Sequence, residues 1–170
     1  MKSIRTWLGL DAPQTQELAP LRETLEALDH LDPARARHLA AFAYLLGRVA
    51  NADQYVSPEE TAAMEALVRR HGQLPRDQAM VVVQLAKTSN RLFGGTANFL
   101  VAREFSQPAT YEQKLALMEC LFALAATDEA ISTAEEGEIH RIATELCIDR
   151  SDLIALRVAH QRHLPGLSRG

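Results

Sequence analysis

Along nearly the whole 170-residue chain, apolar residues recur three and four positions apart, and no stretch alternates convincingly between apolar and polar. That spacing is one face of an α-helix, and it confines the chain to packing helix on helix. Leu18, Leu21, Leu25 and Leu28 make one stripe. Leu39, Phe42, Leu45, Leu46 and Val49 make the next, followed by Met64, Leu67 and Val68. Further stripes run through Leu117, Met118, Leu121, Phe122 and Leu124, then Ile139, Ile142 and Leu146, then Leu153, Ile154, Leu156 and Val158. The run MVVVQL at 80–85 is apolar on more than one face, which predicts a central, well-buried helix. Only 5% of residues are aromatic, so aliphatic side chains must fill the core.

Start and stop signals divide the stripes. Asp32-Pro33 and Ser57-Pro58 each offer an N-cap followed by a first-turn proline, and Pro75 can open a helix. Thr110 with Gln113, and Ser132 with Glu135, have the spacing of capping boxes. Asp149 or Ser151 begins the last helix, and Pro165-Gly166 ends it. Gly94-Gly95 predicts a break, after which Thr96 caps a short helix ending near Pro108. The reading is all-α: a single compact multi-helix domain of about eight helices over 15–164. An N-terminal extension (1–14) precedes it and a frayed tail (165–170) follows.

Several function classes drop out. Eighteen Lys+Arg against 22 Asp+Glu give a net charge of −4, which argues against nucleic acid as a partner. The longest apolar runs, Ala79–Val83 and Cys120–Ala126, are too short to span a bilayer, and the N-terminus lacks a signal-peptide core. A cytoplasmic protein is expected, with Cys120 and Cys147 as two buried free thiols. Gly94-Gly95 lacks the Lys-Ser/Thr that would make a phosphate loop. His38, His71 and His140 each stand alone, and His160 with His163 reads as a solvated helix end. No activated nucleophile is marked, and no enzyme is expected.

Shifting the sequence by 75 residues lays LGRVANADQYVSPEE (46–60) over LFALAATDEAISTAE (121–135). Leu46, Ala50, Asp53, Ser57 and Glu60 equal Leu121, Ala125, Asp128, Ser132 and Glu135, while Val56 and Ile131 are conservative. Each segment reads as an apolar helix, a short acidic loop, a Ser cap and a second helix. This is an αα-hairpin, and two of them predict an internal pseudo-two-fold repeat. Val56 and Ile131 are expected to pin the loops to the core.

Capping accounts for the Ser and Glu of the shared Asp-x-x-apolar-Ser-x-x-Glu pattern but not for the Asp. Asp53, Glu60, Asp128 and Glu135 are therefore candidate metal ligands, with Glu59, Glu129 and Glu136 as auxiliary acids. Crowded carboxylates repel unless screened, and a hard divalent cation, Ca²⁺ first, takes such oxygens. The alternative is a pair of capped helices with a solvated acidic surface. A true EF-hand is not expected, because its first two ligand positions fall on Val49 and Asn51, or Leu124 and Ala126.

VANADQYVSPEE, followed by LAATDEAISTAEEGEIHRIATEL, resembles the TerB family of tellurite-resistance proteins and TerB-like domains, over roughly 36–163. The family mark is an Asp-Gly…apolar-Ser…Glu loop before a helix; Asp53, Glu60, Asp128 and Glu135 sit on it. This chain carries Gln54 and Glu129 where the family usually has Gly, the residue that enters left-handed backbone freely. The resemblance implies an all-helical bacterial cytoplasmic protein of the stress or tellurite response. It also implies divalent-cation binding by the acidic residues, and a protein partner or self-association, including at a complex on the inner membrane. A metal-free interaction or oligomerisation scaffold is the other function expected of such a domain.

Overall fold

A computed structural model describes residues 29–128 and 130–160, with the backbone alone at 93–96. The extension 1–14, the Leu18–Leu28 stripe, Glu129, His163 and the tail 165–170 lie outside the described residues. Six α-helices follow one another: α1 (Pro33–Ala50), α2 (Pro58–Gly72), α3 (Arg76–Ser106), α4 (Tyr111–Ala125), α5 (Thr133–Glu145) and α6 (Arg150–Ala159). A 3₁₀ turn, Ala126–Asp128, separates α4 from the loop before α5. There is no strand among the described residues, so the fold is all-α. No helix among them is long and apolar enough to cross a membrane.

The centre of the molecule is α1, rather than the MVVVQL segment. Every residue from Leu39 to Ala50 is buried, because α2, α3, α4 and α5 all pack around this helix. Its small residues permit that crowding. A Cβ on Gly47 would lie 2.5 Å from Asn90 Nδ2 of α3, so a side chain at this crossing would displace the Asn90 amide. Asn90 uses the proximity to donate to the Tyr44 carbonyl, 3.1 Å away. Val81, Val82 and Val83 are buried as expected, but Met80 beside them is 41% exposed, so α3 keeps one face open.

The caps follow the sequence signals closely. Asp32 accepts from the Arg35 amide, and Ser57, Thr110 and Ser132 each complete a capping box with Glu60, Gln113 and Glu135. Ile131 is fully buried and Val56 packs against the core at half burial, so both loops are pinned.

Four expectations are corrected. The break at Gly94-Gly95 is absent, and α3 runs unbroken for 31 residues with Thr96 inside it. A glycine costs a helix about 1 kcal/mol, which does not break it when both flanks pack on a neighbour. Here Asn90 and Asn98, on either side of the pair, both bond to α1 side chains or carbonyls. The helix count over the described residues is accordingly six plus one 3₁₀ turn, rather than about eight. The last helix stops at Ala159, with His160 as its C-cap, before Pro165 is reached. Finally, the thiols are not both buried: Cys120 is half-buried and Cys147 is exposed. Cys147 sits at φ 57°, just past the end of α5, where a left-handed residue returns its amide to Thr144 and points its side chain outward.

Candidate functional site

The two capping boxes do more than end their own helices. In each, one carboxyl oxygen of the glutamate accepts the N-cap amide: Glu60 Oε2 from Ser57 at 2.9 Å, and Glu135 Oε2 from Ser132 at 2.7 Å. Both glutamates are buried, at 3% and 4% exposure. Their carboxyls also act on each other, the start of α2 facing the start of α5. A bond between two carboxyls requires a proton on one of them. Burial, then the bond and charge of Glu135 and the charge of Asp128, push Glu60 up to about 7, against the opposing pull of the Ser57 amide.

Asp128 belongs to the same cluster. It ends the 3₁₀ turn that follows α4, and its Oδ1 accepts the Ser57 hydroxyl across the hairpins at 3.1 Å. Ser57 thus accepts from its own helix and donates to the opposite loop. Asp53 is placed differently. Its Oδ1 accepts the Tyr55 amide at 3.0 Å in an exposed turn, which is its hydrogen bond among the described residues. The left-handed position after it is real: Gln54 has φ 69°, so a glutamine occupies the backbone region where glycine is usual. Glu60 and Glu135 are therefore paired, Asp128 stands beside them on Ser57, and Asp53 stands apart.

Three further acids of this region, Glu136, Glu138 and Glu145, are paired with arginine. Arg48, buried in α1, donates from Nε to Glu138 at 2.8 Å and from Nη1 to Glu145 at 2.6 Å. Burial works against its charge, but the bonds and charges of Glu145 and Glu138 outweigh that and raise its pKa. Arg141 holds the other oxygen of Glu138 at 2.7 Å, and Arg157 holds Glu136 at 2.5 Å. Glu136, expected as an auxiliary acid, is thereby committed to α6; Glu59 is exposed. By contrast, among the described residues no lysine or arginine pairs with Glu60, Glu135 or Asp128. Nor do any three His, Cys, Asp or Glu side chains among them converge on one ion position.

The histidines hold a contact that sequence reading did not anticipate. His38 and His71 are 33 residues apart, with no spacing to join them, yet their Nε2 atoms lie 2.9 Å apart. Phe42 lies flat on His71 at 4.0 Å between ring centres. His160 stacks on Phe122 at 5.4 Å and bonds the Leu156 carbonyl, so it finishes α6.

Residues 38–158 match the family model for tellurite resistance protein TerB, which covers most of the chain. The chain belongs to that family. No curated protein and no solved structure matches it.

Proposed function

We propose that this member of the TerB family is a non-enzymatic module of the tellurite or wider stress response whose two capped loops jointly take up a divalent cation, Ca²⁺ first. The observation that carries this reading is the meeting of Glu60 and Glu135 with Asp128 beside them. Two buried carboxyls from two hairpins meet at one junction with Asp128 on Ser57 beside them, while Glu136, Glu138 and Glu145 are paired with arginines. Helix capping needs only one oxygen from each glutamate; the second oxygens and Asp128 are surplus to it. In the closed arrangement a proton holds the glutamates together. A cation entering there would take the proton's place and part the two carboxyls, with water and carbonyls completing its shell. Because the junction joins α2 to α5, its occupancy would set the angle between the hairpins and so the shape of a partner surface. Asp53 is an outer acid in this scheme, drawn in only if its loop moves.

Calorimetric titration of the full chain with Ca²⁺, Mg²⁺, Mn²⁺ and Zn²⁺ tests this. A saturable heat is expected for at least one ion. Asp128→Asn should weaken it at least tenfold, and Asp53→Asn should change it little. Absence of heat with all four ions sinks the proposal.

A second reading, the metal-free scaffold, is favoured by a separate observation. Leu92, Phe99 and Leu100 on α3, and Ile154 and Val158 on α6, are each at least half exposed. Apolar side chains grouped on one stretch of helix suit a protein partner or a second copy, in the cytoplasm or at a membrane-bound complex.

A further inference from the structure

We propose that His38 and His71 form a one-proton lock between α1 and α2, which holds with no added proton or with one, and parts when both rings are charged, releasing the C-terminal end of α2 on acidification. The argument begins with the direction of the contact. The ring centres are 5.1 Å apart and the planes tilt by 27°. That separation is nearly the whole 2.9 Å nitrogen gap plus the distance of each nitrogen from its own ring centre. The rings therefore meet nitrogen to nitrogen, almost in line, and not face over face. This is the geometry of an N–H···N hydrogen bond.

Such a bond needs one donor and one acceptor. Two neutral rings supply them if Nε2 carries the proton on one ring and Nδ1 on the other. One neutral and one charged ring supply them as well. Two charged rings cannot, because every ring nitrogen then bears a proton and two N–H groups face each other.

The surroundings hold the rings in place and oppose the second charge. Phe42 of α1 covers His71, and Phe105 of α3 lies 4.9 Å from His38. Arg37 of α1 and Glu104 of α3 line a cavity of about 590 Å³ with His38, to which α4 contributes the neutral Gln113. Arg35 donates to the Gly72 carbonyl, one residue beyond His71, and Arg69 and Arg70 share the last turn of α2. Partial burial lowers the proton affinity of both imidazoles, and for His71 the charge of His38 lowers it further. What the lock restrains is the turn into α3, where Gln73 is left-handed at φ 51° and the Leu74 amide returns to Arg69.

The test is an NMR titration of the imidazole signals of the full chain from pH 8 to 4.5, with amide exchange followed at Gln73 and Leu74. The two rings should share a first step, with the second proton entering at least one pH unit lower, a tenfold weaker affinity. Exchange at Gln73 and Leu74 should accelerate about tenfold across that second step. His38→Phe keeps a ring on Phe105 but removes the nitrogen; His71 should then titrate in one step, and the acid-induced acceleration should vanish. His71→Gln, the converse variant, should leave His38 with a single step. Two uncoupled titrations in the unsubstituted chain, or the same acceleration in His38→Phe, would overturn the lock.

Discussion

The two ends of α2 are fastened by titratable pairs of opposite chemistry. At its start Glu60 meets Glu135 of α5; at its finish His71 meets His38 of α1. Each pair crosses to another helix, and each repels itself when fully ionised. They differ in which protonation state holds. The carboxyls need a proton to bond, whereas the imidazoles tolerate one and reject the second. For Glu60 the folded value of about 7 lies above the ordinary 4.5, so the folded chain binds this proton more tightly than the unfolded chain. Its contribution is full at acid pH and is lost as pH rises from about 4.5 through 7. Both imidazoles are shifted below 6.5, so the unfolded chain binds those protons more tightly. Their contribution is full above 6.5 and fades as pH falls beneath it. Acidification thus tightens one end of the helix while loosening the other.

The largest expected effect comes from a third arrangement, which serves as a reference for the first. Arg48 gives Glu138 and Glu145 a permanent cation. Arg48→Ala should cost about 3–5 kcal/mol in urea unfolding at pH 7.5, because it strands buried carboxylate charge. The loss should shrink at pH 5, where the stranded acids can take up protons as Glu60 does. A penalty that is small, or equal at both pH values, would remove the distinction between arginine-neutralised and proton-neutralised acids.

Glu60→Gln sharpens the comparison from the other side. The amide imitates the protonated carboxyl: its oxygen can accept the Ser57 amide and its nitrogen can donate to Glu135. Measured in chelator-treated buffer, this variant should match the unsubstituted chain at pH 5. It should exceed it by about 2–3 kcal/mol at pH 8, since one pKa unit corresponds to roughly 1.4 kcal/mol and about two units lie between pH 5 and the folded value. The slope of stability against pH that remains should then have the sign set by the histidines. Equal destabilisation at every pH would mean that no proton is shared at this end.

These two ends were unequally legible in the sequence. The carboxyl end was visible because it is local. Ser57 with Glu60 and Ser132 with Glu135 are three residues apart, and capping chemistry fixes that spacing. The repeat at an offset of 75 then drew attention to both at once. What remained hidden was that the two boxes touch, and that Asp128 joins them while Asp53 does not. That difference depends on how α4 ends: a 3₁₀ turn carries Asp128 toward Ser57, whereas the residues after α1 turn Asp53 outward onto Tyr55. The histidine end left no trace, because a contact across 33 residues depends on how α1 and α2 cross. Arg48 was equally silent: nothing in LGRVAN announces a buried guanidinium reaching Glu145, 97 residues on. The helices themselves were legible from periodicity and caps. The exception was Gly94-Gly95, where local propensity indicated a break and packing on α1 overrode it.

The smallest effect tests whether the duplicated caps are equivalent. Ser57 and Ser132 both accept the amide of their own glutamate, at 3.0 and 3.1 Å. Replacing either with alanine should cost about 1 kcal/mol for the lost cap. Ser57, however, is buried and also donates to Asp128, a bond that spans the two hairpins. Ser57→Ala should therefore exceed Ser132→Ala by about 0.5–1.5 kcal/mol, the usual worth of one further hydrogen bond. The excess should disappear in an Asp128→Ala background, because nothing is then left for the hydroxyl to hold. If the two serines cost the same in both backgrounds, the hydroxyl contributes nothing across the junction. Asp128 would then have no tie to the α2 cap, and the acidic cluster would contract to the glutamate pair alone.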